Sequence, residues 1–166
     1  MGELTTIEAK AFVPAKDFVL SKQFYQDLGF EVVWSSDDLA YVRKGSSSFL
    51  LQRFYNKEHA DNFMMHLLVE DVEAWWSHVQ AQGLIDKYGV WAEPPADRSW
   101  GLRDFVIVDP TGVLWRIGQN IDEPSGGERL AGIRRLGWRL KAQRKVEICA
   151  AIFAHLCFER HAIIQS

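Results

Sequence analysis

The stretch RDFVIVDPTGVLWRIGQ, residues 103–119, decides the fold. Two strand-like segments flank the tetrapeptide Asp-Pro-Thr-Gly, in which Pro110 pre-sets the first central residue of a type I turn and Gly112 suits its closing position. This pattern predicts two antiparallel strands joined by a tight turn. Alternation then places Trp115 and Arg116 on opposite faces of the second strand. A buried arginine without a partner is costly, so Arg116 needs either a carboxylate of the protein or an anionic ligand.

The first half of the chain reads as a strand, a helix and three further strands. Asp17 is a typical N-cap for the helix, which ends at Gly29. Clusters of Ser, Asp and Gly separate the strands that follow. The predicted segments are a strand at 6–15, a helix at 17–29, strands at 30–36, 39–45 and 47–55, and a polar loop, NKEHADN, at 56–62.

The second half repeats this plan. Asp71 and Gly83 bound a second helix, and each lies 54 residues after its counterpart in the first half, Asp17 or Gly29. The predicted segments are a strand at 63–69, a helix at 71–83, the segment DKYGVWA at 86–92, a proline-bearing loop, EPPADRSWG, at 93–101, and the two strands around the turn. The repeated order predicts two βαβββ modules, at about 6–56 and 62–120.

Charge divides the chain into an acidic body and a basic tail. Residues 1–121 contain 11 Lys and Arg against 17 Asp and Glu, a net charge of -6, whereas residues 122–166 contain 8 against 5, a net charge of +3. The acidic body argues against a nucleic-acid partner and mildly favours a cationic ligand, although solubility alone explains it equally well. We expect one domain at 1–121, followed by a linker and a helical extension at 122–166 of unassigned role.

Location and redox state follow from composition. Cys149 and Cys157 are eight residues apart, which is too far for a two-residue-spaced redox or zinc motif, and we expect free thiols in a reducing cytoplasm. The sequence has neither a membrane-spanning apolar run nor a signal-peptide core, so we expect no membrane partner.

Three longer sequence motifs resemble those of a known family: PAKDFVLSKQFYQDLGFEV, LLVEDVEAWWSHVQAQG and WGLRDFVIVDPTGVLWRIG. Together they resemble the vicinal oxygen chelate superfamily, which includes glyoxalase I, extradiol dioxygenases and the fosfomycin- and bleomycin-resistance proteins. The resemblance covers roughly residues 7–120. It implies an α+β fold, in which paired βαβββ modules form a curved eight-stranded sheet with a concave cleft, here with a C-terminal helical tail.

The resemblance also implies where a metal ion would bind. Metal-dependent members use four inward His or Glu side chains, one from the first and one from the last strand of each module. The corresponding residues here are Lys10, Met64 and Arg116, with Leu51 or Gln52 at the fourth position. Lys and Arg repel a metal ion and Met is a weak ligand for the ions of this family, so we expect no metal, no cofactor and no catalytic residue.

The resulting functional prediction is a binding protein of the bleomycin-resistance type, which holds a small molecule, such as a bleomycin-like antibiotic, and forms a homodimer. Loss of the metal makes an enzyme the less favoured reading. The alternative is a metal-dependent lyase or dioxygenase with atypical ligands. The predicted ligand-binding residues are Lys10, Phe12, Trp34, Leu39, Met64, His66, Trp100 and Arg116.

Several of these residues have a second interpretation. Trp34 and Trp100 would serve equally well at a dimer interface. Two cations in one cleft, Lys10 and Arg116, favour an anionic ligand unless each pairs with a carboxylate. His66, two residues after Met64 and on the same face, is either a pocket residue or a metal ligand.

Overall fold

The computed structural model describes residues 3–121, so the predictions made for the tail at 122–166 lie outside the described residues. Eight strands occur in this part of the chain, in two four-stranded sheets. The first module contains β1 (Phe12–Pro14), α1 (Phe18–Asp27), β2 (Glu31–Ser35), β3 (Leu39–Lys44) and β4 (Ser47–Gln52). After α2 (Lys57–Asn62), the second contains β5 (Met64–Leu68), α3 (Val72–Ala81), α4 (Leu84–Tyr88), β6 (Ala92–Arg98), β7 (Leu102–Val108) and β8 (Leu114–Asn120).

Both sheets have the same strand order. The first runs β1-β4-β3-β2 and the second β5-β8-β7-β6, with the first strand of each module parallel to its last. The predicted α+β class and the paired βαβββ modules are therefore confirmed. None of the described helices is long and apolar enough to cross a membrane.

The described residues divide into two compact units. The first contains 3–96 and 103–119, and thus both modules almost entirely; the second contains 97–102 together with 120 and 121. The strands, helices and side chains discussed below belong to the first unit unless the second is named.

The two helices begin and end as the sequence predicts. The side chain of Asp17 accepts a hydrogen bond from the Leu20 amide, and that of Asp71 accepts one from the Ala74 amide, each at 2.9 Å. Gly29 and Gly83 follow the two helices with φ of 103° and 60°, which glycine adopts without strain.

One apolar core joins the two modules. Tyr25 of α1 contacts Phe49 of β4, at 4.9 Å between ring centroids, and Trp115 of β8, at 5.6 Å. Val72 and Val79 of α3 are fully buried in the same core. Each sheet therefore has a core face, which packs against α1 and α3, and an opposite face that we call the distal face.

The turn at 109–112 is fixed by the carboxylate of Asp109. Its Oδ1 accepts hydrogen bonds from the amides of Thr111, Gly112 and Val113 at 2.8–2.9 Å, and its Oδ2 accepts one from the Tyr25 hydroxyl at 2.7 Å. The Asp-Pro-Thr-Gly motif thus closes the turn and, through the hydrogen bond from Tyr25, connects the second module to α1.

Two loop predictions are wrong. The polar segment 56–62 is mostly helix α2, because the Asn56 side chain caps it through the His59 amide. Residues 84–88, which overlap the unassigned segment 86–92, form helix α4, which ends at Gly89 with φ of 61°. The loop predicted at 93–101 is strand β6 as far as Arg98. Pro94 and Pro95 are tolerated there because β6 is an edge strand.

The first strand is also shorter than predicted. Regular pairing with β4 begins at Phe12, so β1 is only 3 residues long instead of spanning 6–15.

Candidate functional site

An apolar row crosses the distal face of the first sheet. Phe12 pairs with Leu50, Leu50 with Tyr41, and Tyr41 with Trp34, so one residue from each of the four strands lies in line. The alternate residues Val13, Ala40 and Leu51 are buried in the core, which places the row on the opposite face. We call Phe12, Leu50, Tyr41 and Trp34 the apolar row.

Large parts of this row are open to solvent. Phe12 is 52% exposed and Trp34 is 54% exposed, whereas the rings of Tyr25, Phe49 and Trp115 are buried in the core. Leu39 lies two residues before Tyr41 on β3 and is half-buried on the same face. Exposed rings aligned across a sheet are a typical surface for stacking with a flat ligand or for contact with another protein.

Lys10 lies beside the apolar row and is neutralised locally. Its ammonium group forms an ion pair with Glu8 and lies 5.1 Å from the centre of the Tyr41 ring. Glu8 also accepts a hydrogen bond from Ser48, and these two hydrogen bonds lower the pKa of Glu8 below its ordinary value. The first of the two predicted cations therefore already has a carboxylate partner.

The second sheet carries a polar group at the corresponding place. His66 pairs with Arg116 in the parallel ladder between β5 and β8, on the face opposite Trp115 and Ile117. Arg116 Nη1 donates to Oδ2 of Asp104, on β7, at 2.8 Å. The Arg116 and Asp104 side chains are 4% and 0% exposed. We call His66, Arg116 and Asp104 the polar cluster.

Gly118 gives the polar cluster its close spacing. A Cβ atom added at Gly118 would lie 3.1 Å from Cβ of Asp104 and 3.6 Å from Nε2 of His66. A side chain at 118 would therefore crowd Asp104 and touch His66. The imidazole of His66 and Cβ of Asp104 both lie close to Gly118 on the distal face.

His66 is the titratable member of this cluster. Desolvation by the surrounding protein lowers the pKa of His66 below its ordinary value of 6.5, and the charge of Arg116 lowers it further, while the charge of Asp104 opposes both. Part of the ring remains open to solvent. At neutral pH His66 is consequently an uncharged imidazole with a nitrogen that can accept a hydrogen bond.

The four positions at which metal-dependent relatives bind their ion do not fit a metal here. Three are Lys10, Met64 and Arg116, and the ladder identifies the fourth. His66 lies 54 residues after Phe12 and is therefore its counterpart in the repeat. Phe12 pairs with Leu50, and His66 pairs with Arg116, so Leu50 is the counterpart of Arg116. Two cations, a thioether and an aliphatic chain cannot form a divalent-metal site. Within 3–121, no three His, Cys, Asp or Glu side chains are grouped closely enough to hold an ion.

Of the two residues left open for the fourth position, Leu51 is fully buried on the core face. Gln52 lies on the distal face, two ladder positions beyond Leu50. The sequence could not settle this register because the segment 47–55 contains no turn residue to anchor it.

A cavity of about 390 Å³ lies between the two modules. Residues 65–68 of β5, including His66, line it together with Glu8 and the serines at 46–48. The core rings of Phe30, Phe49 and Trp115 also line it. His66 thus contributes both to this cavity and to the polar cluster.

The structure brings the predicted site residues together in two groups. Phe12, Trp34 and Leu39 share the distal face of the first sheet, with Lys10 beside them; Met64, His66 and Arg116 share that of the second. Trp100 belongs to the second unit, where it lies in the turn between β6 and β7 and is partly buried.

Sequence reasoning missed Asp104, Tyr41 and Leu50. Alternation could have indicated Asp104, because a charged residue directly before the core residue Phe105 must lie on the face of Arg116. The same rule assigns Tyr41 and Leu50 to the face of Phe12 once the strand pairing is known.

Comparisons with known proteins agree with this architecture. Residues 9–117 match the sequence model of the Glyoxalase/Bleomycin resistance protein/Dioxygenase superfamily. No curated protein matches the chain by sequence.

Three solved structures illustrate the range of similar folds. A bleomycin-binding protein from bleomycin-producing Streptomyces verticillus, complexed with copper(II)-bleomycin, is 24% identical, with a TM-score of 0.60 over 73% of this chain and 100% of that one. TnmS3, an antibiotic-binding protein from Streptomyces sp. CB03234, is 20% identical, with a TM-score of 0.58 over 72% and 99%. Lactoylglutathione lyase from Agrobacterium tumefaciens is 17% identical, with a TM-score of 0.53 over 70% and 96%. At these identities the likeness is one of fold.

Proposed function

The chain belongs to the glyoxalase/bleomycin resistance protein/dioxygenase superfamily, and we propose that it is a binding protein that sequesters a small molecule without a resident metal ion. The ligand we propose is an antibiotic of the bleomycin type, a cation with a flat heteroaromatic part. In this proposal the protein acts by holding the molecule, and no residue performs catalysis.

The observation that carries the proposal is the apolar row. It presents two exposed aromatic rings, Phe12 and Trp34, with Tyr41 between them on neighbouring strands. A flat heteroaromatic group stacks on such rings, and a cation is attracted to their faces. Rings held by a four-stranded ladder require little ordering when the ligand binds, which favours affinity.

The charges of the two distal faces support a cationic ligand. Lys10 is paired with Glu8, and Arg116 is paired with Asp104, so neither predicted cation contributes a net positive charge. His66 adds none at neutral pH. The net charge of -6 over residues 1–121 then attracts cations. The preference for an anionic ligand that two isolated cations would create is thereby removed.

The residues at the family's metal positions support binding without an ion. Lys10, Leu50, Met64 and Arg116 offer no set of His or carboxylate donors. The alternative of a metal-dependent lyase or dioxygenase would require ligands from elsewhere.

We further propose that the protein is a cytoplasmic homodimer. Phe12 on β1 and Val33 and Trp34 on β2 are 52%, 42% and 54% exposed, and exposed apolar side chains of this kind are typical of a contact with another protein chain. A second copy would cover part of this surface and enclose a ligand bound on it.

A calorimetric titration with bleomycin tests the ligand. We expect saturable binding of bleomycin to the wild-type chain. The affinity of Trp34→Ala for bleomycin should be roughly tenfold or more lower, because stacking is lost. Trp91→Ala is the matched control, because Trp91 is 49% exposed but lies outside the apolar row, in the segment before β6. Its affinity should equal that of the wild type.

Two results would oppose the proposal. No heat of binding with bleomycin would remove the proposed ligand, and equal weakening in Trp34→Ala and Trp91→Ala would remove the proposed site. Metal analysis of freshly purified protein tests the alternative. A stoichiometric divalent ion, with an activity that a chelator abolishes, would favour the metal-dependent enzyme.

A further inference from the structure

The second sheet carries two side chains of types that bind metal ions, His66 and Asp104, and an arginine lies where a third ligand would be needed. His66 and Asp104 approach the same point above Gly118, at 3.6 Å for Nε2 and 3.1 Å for Cβ. They lie on β5 and β7, and the strand between these two is β8, which carries Arg116.

We infer that Arg116 excludes divalent metal ions from the His66–Asp104 pair, by placing a fixed cation where an ion would otherwise bind between them. The inference rests on the metal-free part of the proposed function, and not on the identity of the ligand.

The guanidinium group of Arg116 already lies at the carboxylate of Asp104. Arg116 Nη1 lies 2.8 Å from Oδ2 of Asp104, so a positive charge already occupies the carboxylate that a metal ion would need. Both side chains are almost fully buried, at 4% and 0% exposure, where water screens their charges poorly. A divalent ion brought to Asp104 would therefore meet strong repulsion.

The three strands β5, β8 and β7 are adjacent, so His66, Arg116 and Asp104 lie close together. His66 and Arg116 are ladder partners on adjacent strands, which puts their Cα atoms about 5 Å apart. Asp104 reaches the same place from the other side of Arg116. A nitrogen donor at 116 would complete two imidazoles and one carboxylate on one face, a set that binds first-row transition metals and leaves positions open.

The His66 imidazole is available to bind a metal ion. The described residues give the His66 imidazole no hydrogen-bond partner, and the ring borders the cavity between the modules. Partial exposure gives an ion a route to its nitrogen.

The test is metal binding by the full chain with Arg116→His. We expect about one Co²⁺ per chain, with the visible absorption of Co²⁺ bound to nitrogen and oxygen donors. Arg116→Met removes the same charge without supplying a ligand, so its Co²⁺ affinity should be higher than that of the wild-type chain but at least about tenfold lower than that of Arg116→His. The double variant His66→Ala, Arg116→His should lose the added affinity. All variants keep Cys149, His155, Cys157 and His161 of the tail, so binding there would be common to all.

Co²⁺ affinities of Arg116→His and Arg116→Met that are no higher than that of the wild-type chain would overturn the inference, and so would unchanged affinity after His66→Ala is added to Arg116→His. If Arg116→His does not fold, the wild-type chain still provides a test. His66→Ala should leave any Co²⁺ binding by the wild-type chain unchanged, and a loss of binding would show that Arg116 does not exclude the ion. Failure of the bleomycin titration would count against the proposed function and leave this inference standing.

Discussion

Arg116 is paired with the carboxylate of Asp104 in the interior of the second sheet, and the energetic coupling between the two side chains can be measured. Asp104 Oδ2 accepts its hydrogen bond at 2.8 Å, and neither side chain is more than 4% exposed. Two buried charges of this kind stabilise a fold little as a pair, because desolvation offsets their attraction, but each makes the other indispensable.

We therefore expect Arg116→Met to lower the free energy of unfolding by about 3–5 kcal/mol, because buried Asp104 loses the cation that donates to its Oδ2. The double variant Asp104→Leu, Arg116→Met should lose much less, because neither charge remains. Urea unfolding of Arg116→Met, Asp104→Leu and the double variant measures the coupling between the residues.

The control is an exposed ion pair of the same type. Arg43 and Glu31 are 3.0 Å apart, with side chains that are 45% and 65% exposed, and Glu31→Gln should leave the urea midpoint unchanged. A small effect of Arg116→Met, comparable with that of Glu31→Gln, would show that the pair is solvated in solution.

His66 predicts a pH dependence of stability with a definite sign. Desolvation and the neighbouring Arg116 hold its pKa in the folded protein below the ordinary value of 6.5, despite the opposing charge of Asp104. Between the pKa of His66 in the folded protein and its pKa in the unfolded chain, about 6.5, the unfolded chain binds more protons than the folded protein. The contribution of His66 is thus fully present above about pH 6.5 and decreases as the pH falls towards the folded-state pKa.

His66→Gln isolates this contribution because glutamine does not titrate. We expect the unfolding free energy of the wild type, relative to that of His66→Gln, to decrease when the pH is lowered from 7.5 to about 5. A difference that stays constant or grows towards acid pH would mean that protonated His66 is stabilised by Asp104.

The faces of individual residues could be predicted from the sequence, but their partners could not. Alternation placed His66 and Arg116 opposite Trp115 and Ile117, as the structure has them. It could not show that Asp104 of the preceding strand reaches Arg116, because the register of a hairpin depends on the turn geometry and on contacts across strands.

At the scale of elements, the helices were predictable and the short connections were not. Asp17 and Asp71 cap helices of ten residues each, and both caps use side-chain oxygens at 2.9 Å. Signals for α2 and α4 are weaker, since these helices have 6 and 5 residues and their apolar pattern is too short to show a period. The strand β6 was hidden by its two prolines, which are usually read as loop residues.

The repeat predicts that its two helix caps contribute equally. Asp17→Ala and Asp71→Ala should each lower the free energy of unfolding by about 1 kcal/mol, because each removes one hydrogen bond to an otherwise unpaired helix amide. Thermal or urea unfolding compares them directly. Asp37→Ala, in the exposed turn before β3, is the control and should have little effect. Losses that differ severalfold would mean that the two modules are energetically unequal despite their common plan.

At the scale of the first unit, the two modules are joined by a buried polar link as well as by the apolar core. The Tyr25 hydroxyl donates to Asp109 Oδ2 at 2.7 Å and accepts from Trp115 Nε1 at 3.0 Å. Burial and the charge of Asp109 raise the pKa of Tyr25 well above its ordinary value, so the hydroxyl remains a donor. The sequence contained both words, FYQDLG and DPTG, but only the packing of α1 against β8 shows that they are in contact.

This link predicts that the modules unfold together. Tyr25→Phe should cost about 1.5–3 kcal/mol, because it removes a hydrogen bond to a charged group and leaves Trp115 Nε1 without its acceptor. Tyr41→Phe is the matched control, since the described residues give the Tyr41 hydroxyl no hydrogen bond, and its stability should match that of the wild type. Tryptophan fluorescence and far-UV circular dichroism should report one coincident transition for all three proteins, with the midpoint shifted only in Tyr25→Phe. Separate transitions in the wild type, or equal midpoints for the two variants, would show that the core alone joins the modules.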